Sequence, residues 1–536
     1  MSPKTKKPTA IQKRAENRIA LDRFSLVELG PRLPLTFPVS PDIPPSPKTR
    51  YRSHYCYQGP GPLQSFHDLD DLSSFEISLS LFDFSNLEPL LAAHVYRPSA
   101  RGYVPFHPVS MYLLSLFRRA RHLSRPKALR ALRHAKEGKE LRRQLGFVDE
   151  FPSESGLRDF ENRVTPELQQ EIVALQIEAL YQAGLLPTQP EGEKKVSLSF
   201  DGMLHQARSR KRCGYVTEGC YQGGPRSCRA QERGKRGCRC SEPACAHACR
   251  YTTPRDPEAR LVVYSGSNKR AQPGPNAPRE ERQAGRPRGR AVFGYRSFAG
   301  QLLDPELATY WILPAAFGAA TEGERSLFPA NFTYLQSRFA WLQVGEVIAD
   351  AAMGEQECLD LIWEAGALRL VDIRAHETDQ DLEAQLMRGY NEKGYPLCPF
   401  GYVLHPNGHD YERRRSQWRC AKSCLRDTER PMPACDYLSP QYKHGYTLHV
   451  GRTHGDGTVR LAREIPYDSP AWKAHYHRRN SAESRNSALE RLGLKRMPVH
   501  GLSLSHMMVL LGDFMANLRT LVRLVQEATL LRPRLS

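Results

Sequence analysis

Two short segments, each ending on an aspartate, constrain this chain more than any other feature. Val196-Ser197-Leu198-Ser199-Phe200-Asp201 alternates apolar and polar side chains, and a second strand-like run, Val344 to Ile348, leads to Asp350. Alternation with period two is the pattern of a strand. Leu261 to Tyr264, Ala291 to Phe298 and Leu368 to Ile373 read as further strands, and Gln356 to Ala365 as a helix. Strands mixed with helices predict an α/β fold. An aspartate closing a strand projects from a rigid scaffold into the crevice where α/β sheets take their ligands. Chance also puts many acids at strand ends, so neither aspartate is decisive by itself.

The flanks have a different character. Residues 1–90, rich in Lys, Arg and Pro, read as a basic flexible arm. Residues 91–190 read as a helical domain: Val109 to Leu116 is apolar at helical spacing, Ser124 starts a second segment, and Thr165 caps a third with Glu167 near its start. Arg118, Arg119, Arg121, Arg125, Lys127, Arg130 and Arg133 crowd its middle. A compact basic helical module suits DNA, although each arginine is equally accounted for by a solvated helix face. The catalytic core is then expected over 191–395, holding an insertion at 205–290, and over 441–500. The end segment, 501–536, carries Leu504, Met508, Leu511, Met515, Leu518 and Leu521 on one helical face, a pattern for core packing or dimerisation.

Charge points to an anionic partner. The 536 residues hold 77 Lys plus Arg against 58 Asp plus Glu, a net charge of +19, and release of counterions makes a polyphosphate a natural ligand for such a surface. The N-terminus lacks the apolar stretch of a signal peptide, and the apolar run Met507 to Leu511 is too short to span a bilayer. A cytoplasmic protein with no membrane contact is the expectation, so the 13 cysteines are read as reduced. No Gly-rich phosphate loop and no Ser or Cys nucleophile elbow appears, which argues against a nucleotide cofactor and against acyl transfer.

A third carboxylate strengthens the pair. Tyr476, Arg479 and Glu483 are spaced by three and four residues, which places them on one face of a helix. Arg479 suits a bidentate phosphate contact. Glu483 suits a third metal ligand beside Asp201 and Asp350. The plainer alternative is a surface Arg–Glu pair worth a few tenths of a kcal/mol. Three carboxylates suit two hard cations, Mg²⁺ or Mn²⁺, and paired ions support in-line phosphoryl transfer.

Cysteines cluster twice. Cys213, Cys220, Cys228, Cys238, Cys240, Cys245 and Cys249 fall within 37 positions, with His205 and His247 nearby, at irregular spacings. Structural zinc is one interpretation and a Cys/Arg-rich loop is the other. Cys398, Cys420, Cys424 and Cys435 form a tighter set, with Gly401 and Gly408 for turns, and residues 396–440 resemble a zinc ribbon.

Taken in order, these blocks resemble bacterial insertion-sequence transposases of the DDE class. Phe106-His107-Pro108 and Pro152-Ser153-Glu154-Ser155 through Phe160 are similar to the family's N-terminal helical domain. Ser199-Phe200-Asp201-Gly202 resembles the first catalytic block, Asp256-Pro257-Glu258-Ala259-Arg260 and Phe293-Gly294-Tyr295 the strands that follow, and Val347-Ile348-Ala349-Asp350-Ala351 the second block. Tyr476-x2-Arg479-x3-Glu483 resembles the third, a Tyr-Arg-Glu-Lys signature. The resemblance implies an RNase H-like mixed sheet flanked by helices, with Asp201, Asp350 and Glu483 binding two Mg²⁺ or Mn²⁺ ions. It further implies that Tyr476 and Arg479 position DNA and that a homodimer acts on element ends and target duplex. A related nuclease or a non-catalytic DNA-binding derivative are the alternatives. One departure stands out: the signature's Lys, seven residues after the Glu, is Glu490 here, and Lys495 is out of register.

Overall fold

The computed structural model describes residues 18–25, 35, 50–56, 74–96, 104–134, 137–147, 150–187, 195–209, 256–264, 290–373, 383, 386–387, 389–410, 412–413, 415–430, 433–442, 445–450 and 463–531. Helices α1 (Arg18–Asp22), α2 (Ser74–Leu81), α3 (Glu88–Val95), α4 (Pro108–Ala120), α5 (Arg125–Arg133), α6 (Glu137–Leu145), α7 (Glu154–Arg163) and α8 (Pro166–Gln182) come first. The Ser124, Ser153 and Thr165 side chains each accept a backbone N–H at a helix start, so the capping signals sit where the sequence puts them.

The strands β1 (Val196–Gln206), β2 (Arg260–Tyr264), β3 (Arg290–Asp304), β4 (Thr309–Ile312), β5 (Ala316–Ala319), β6 (Val344–Ala349) and β7 (Leu368–Val371) build one mixed sheet in the order β2-β3-β1-β6-β7, with β4 and β5 both pairing β3. β1 runs antiparallel to β3 and parallel to β6, and β6 runs parallel to β7. Helices α9 (Glu324–Arg338) and α10 (Gln356–Glu364) accompany it. The chain is therefore α/β, with a mixed sheet and flanking helices. A separate three-stranded sheet, β8 (His405–Asp410), β9 (Arg415–Arg419) and β10 (Thr447–Val450), has its own small core of Leu404, Trp418 and Val450. Helices α11 (Pro470–Tyr476), α12 (Asn480–Arg491) and α13 (Leu502–Leu531) complete the described chain.

One apolar core joins the helices to the sheet. It includes Leu113, Ile172 and Leu180 from the N-terminal helices, Leu198 and Phe298 from the strands, and Phe514 and Leu521 from α13. Polar ties cross it as well: Gln176 Nε2 donates to the Phe514 carbonyl at 3.1 Å, and the Ile312 amide donates to Asn517 Oδ1 at 2.8 Å. The described N-terminal helices and α13 thus share their interior with the mixed sheet, and α13 takes the core-packing option. Among the described residues no helix is long and apolar enough to cross a membrane.

Three expectations change. Parts of the supposed arm, 1–90, are built in: Leu21, Phe24, Leu35, Phe82 and Phe84 belong to the main core, and Phe24 stacks on Trp311 at 6.3 Å. Two arginines of the basic stretch serve the helical packing, since Arg118 and Arg125 both bind Glu161 at 2.6 Å. Finally, β1 does not stop at Asp201. It continues to Gln206, because Met203 and His205 carry the buried alternation onward against the long β3. Within the insertion expected at 205–290, the described residues 205–206 and 260–264 belong to the mixed sheet. The insertion's seven cysteines, with His247, lie outside the described residues.

Candidate metal centre

Register brings the two aspartates together. In the parallel pair β1–β6, Ser199 lies opposite Ile348. Two residues further along each strand stand Asp201 and Asp350, on neighbouring strands that are about 4.8 Å apart. Asp201 sits mid-strand, opposite Ala299 on β3. Asp350 follows the last residue of β6 and accepts the Ala352 amide at 2.9 Å, capping a short 3-10 turn.

The third carboxylate of the cluster is Glu324, which sequence reasoning did not single out. Among the described residues, ligand oxygens of Asp201, Glu324 and Asp350 lie within 4.8 Å of one another. Glu324 is the first residue of α9, where the helix dipole favours a negative charge. Arg296 NH1 donates to its Oε1 at 3.1 Å. Gly202 makes room for it, because a Cβ there would come within 2.5 Å of Glu324 Oε1. The Asp201 and Glu324 side chains are only 13% and 12% exposed, and Asp350 is 34% exposed, so the cluster opens to solvent on the Asp350 side.

Cationic and amide groups hold the cluster. The Arg479 guanidinium bridges Asp201 Oδ1 at 3.4 Å and Asp350 Oδ2 at 3.6 Å. Asn486 Nδ2 donates to Asp201 Oδ2 at 2.8 Å, while its buried Oδ1 has no hydrogen-bond partner among the described residues. Burial pushes the Asp201 carboxyl above the ordinary carboxylate range, Arg479 opposes this, and the charge of Asp350 adds to it. Burial, with the charges of Asp350 and Asp201, pushes Glu324 up to about 7, against Arg296 and Arg479. Crowded carboxylates that resist joint ionisation are the environment a divalent cation relieves. The all-oxygen donor set fits Mg²⁺ or Mn²⁺.

The Tyr-Arg-Glu stretch is not one continuous helix. Tyr476 ends α11, Arg479 closes a 3-10 turn over His477–Arg479, and Glu483 lies in the first turn of α12. Tyr476 stacks on Trp472 at 4.2 Å, and its hydroxyl donates to Asp372 at 3.4 Å. Glu483 is exposed and is not one of the three gathered carboxylates. It nevertheless lies between two residues that touch Asp201, Arg479 and Asn486, and three residues from Asn486, a helical rise of about 4.5 Å. Glu490, standing in the signature's Lys slot, pairs with Lys495.

Behind the cluster is a buried polar chain. His205 Nδ1 donates to the Leu494 carbonyl at 2.8 Å, and its Nε2 accepts from Ser297 Oγ at 2.8 Å. Arg485 NH1 donates to the same Ser297 at 3.3 Å. Burial drives His205 down to about 3, so it is a neutral strut that fixes β1 to the segment after α12. Both its ring nitrogens are engaged, which takes it out of the set of zinc ligands.

Glu324 gives the centre a pH signature. The folded, metal-free protein keeps a proton on Glu324 that the unfolded chain releases near the ordinary 4.5. In that window the native state binds more protons, so this group's contribution to stability falls as pH rises from 4.5 to about 7. A cation bound at this cluster would compete with the same proton, so its affinity would rise with pH up to about 7 and then level. Glu324→Gln is expected to flatten the rise of Mn²⁺ affinity and reduce the accompanying proton release. Calorimetry at pH 6 and pH 8 in two buffers of different ionisation enthalpy would check this, and an unchanged slope in Glu324→Gln would refute it.

No family model matches the chain, and no curated protein matches it.

Proposed function

We propose that this protein is a metal-dependent DNA transposase of the DDE class with an RNase H-like core. It would bind the ends of its insertion sequence as a homodimer, cleave them and join the resulting 3′-hydroxyls to target DNA. The observation that carries this is the gathering of Asp201, Glu324 and Asp350 around Arg479 in a chain of net charge +19. The mixed sheet flanked by helices supports the RNase H-like core.

Asp201 and Asp350 would hold Mg²⁺ or Mn²⁺, with Glu324 on the α9 side and Glu483 on the α12 side. Bound there, two such ions supply charge neutralisation for the attacking and leaving oxygens of an in-line displacement. The protein's own residues do the positioning. Arg479 bridges the two aspartates where a cation would be held, and its guanidinium is placed to grip the scissile phosphate bidentately. Asn486 keeps Asp201 oriented. Tyr476, held by Asp372 and Trp472, is hydrogen-bonded to Arg479 and would help keep it beside the cluster.

Glu483 separates this proposal from a site built on the three gathered carboxylates alone. Glu483→Ala is expected to lower Mg²⁺-dependent nicking of duplex DNA taken from the flanks of the gene by about 10²-fold or more, at undiminished DNA binding. A gel assay of end-labelled duplex measures it. Nicking at the unaltered rate would remove Glu483 from the centre and leave Glu324 as the third ligand.

A further inference from the structure

The three-stranded sheet is too poor in apolar residues to hold itself together. Its buried core is Leu404, Trp418 and Val450, with Tyr395, Tyr446, Leu448, Cys398 and Cys420 packed partly against it. So small a core does not stabilise an independent unit, and units of this size commonly depend on a metal or on disulfides. The cysteines are not in disulfides: Cys398, Cys420, Cys424 and Cys435 are all free.

Topology delivers these four thiols to one end of the sheet. In the antiparallel pairs, Arg419 at the end of β9 lies opposite both His405 at the start of β8 and Thr447 at the start of β10. Cys420 follows Arg419 directly. Cys398 lies on the hairpin that leads into β8, where its amide donates to the Tyr402 carbonyl at 2.8 Å and its carbonyl accepts the Gly401 amide at 2.8 Å. Cys424 lies on a 3-10 turn just beyond Cys420, and Cys435 begins another before β10.

Two local features suit ligation. The Lys422 amide donates to Cys420 Sγ at 3.2 Å, with Lys422 itself in the left-handed region at φ 53°, so the backbone folds around this sulfur. Gly445, at φ 63°, lies against the same cysteine, because a Cβ there would meet Cys420 Cβ at 2.9 Å and Sγ at 3.5 Å. Cys424 is buried, and Cys398 and Cys420 pack against the same small core. No three of them lie within 4.8 Å of one another among the described residues, so ligation has to draw the loops inward.

We infer that Cys398, Cys420, Cys424 and Cys435 form a four-thiolate Zn²⁺ site whose ion is the missing core of this small sheet. Four thiolates leave no open position, so the ion is structural and takes no part in DNA chemistry. Because thiolates select Zn²⁺ and carboxylates Mg²⁺, this site stands or falls independently of the acidic centre.

The test uses the full chain and the metal alone. The zinc content of purified protein is compared with that of Cys420→Ser/Cys424→Ser, a difference that cancels any zinc bound at Cys213 to Cys249. The expected result is a loss of one equivalent. An equal content in the two proteins, or a wild-type chain without zinc, would overturn the inference. Should the double variant fail to fold, Co²⁺ in place of Zn²⁺ still decides. Wild-type protein is expected to show sulfur-to-metal charge transfer and tetrahedral ligand-field bands, and Cys435→His to keep the equivalent with its bands moved to higher energy. Identical bands in the two proteins would exclude Cys435 from the site.

Discussion

Asp201→Ala and Asp350→Ala are each expected to lower Mg²⁺-dependent DNA cleavage by about 10³-fold or more, since a catalytic metal supplies several kcal/mol and each 1.36 kcal/mol is tenfold. DNA binding should change little, because the contacts expected to carry it are basic and lie elsewhere. Folding should survive as well. Asp201 and Asp350 add to a cluster in which burial and mutual charge already work against ionisation. Removing one of them relieves repulsion on Glu324 at the expense of one Arg479 contact and of one hydrogen bond, from Asn486 to Asp201 or from the Ala352 amide to Asp350, so the unfolding midpoint should stay close to that of the wild type. That combination of lost cleavage and kept stability is characteristic of a functional cluster. A large fall in the midpoint would instead make these residues structural. Cleavage rates and thermal melts of the same preparations separate the two outcomes.

The second large effect is on stability. Arg485 on α12 and Asp513 on α13 are both fully buried, and the guanidinium Nε and NH2 each meet a carboxylate oxygen at 2.9 Å. Removing one partner leaves an uncompensated charge in the interior, which costs about 3–5 kcal/mol. Arg485→Met or Asp513→Leu alone should therefore lower the denaturant midpoint sharply. The double variant Arg485→Met/Asp513→Leu should recover most of the loss, because a well-packed apolar pair often replaces a buried ion pair without penalty. The pair also sets α12 in place one residue from Asn486, whose amide holds Asp201. A single variant that still folds should thus lose cleavage as well. Additive losses in the double variant would mean that the two charges are not coupled.

Much of the sheet was legible because strand alternation is a local property. The alternation of Val196 to Phe200 and the largely apolar run Val344 to Ile348 mark two strands, and the parallel register then sets Asp201 beside Asp350. The extent of β1 was not legible, since it depends on the length of β3, a partner brought in across the 210–255 and 265–289 segments. Glu324 was hidden for a related reason. Its helix α9 carries Pro329 inside, and its place in the cluster comes from packing against the sheet, not from any motif. Asp513, just past the apolar run Met507 to Leu511, has its place in the interior explained only by its buried partner Arg485. The Tyr476, Arg479 and Glu483 spacing was visible, but the 3-10 turn between α11 and α12 was not, because three- and four-residue spacings do not report a local tightening of the helix.

The cysteine set at 398–435 was visible as spacing alone. The structure adds a physical need for it, since Leu404, Trp418 and Val450 are a meagre core for three strands. Gly401 and Gly408, noted as turn residues, adopt φ 79° and φ 109° and so occupy conformations that favour glycine.

Joining, more than cutting, distinguishes a transposase from a nuclease built on the same acids. The most direct measurement gives the full chain Mg²⁺, a plasmid target and a pre-nicked duplex from the flanks of the gene that exposes a 3′-hydroxyl. The expected result is covalent joining of that strand to the plasmid by the wild-type protein and none by Asp201→Ala. Joining by Asp201→Ala at the wild-type rate, or cleavage of the intact duplex with no joined product from the nicked one, would contradict it.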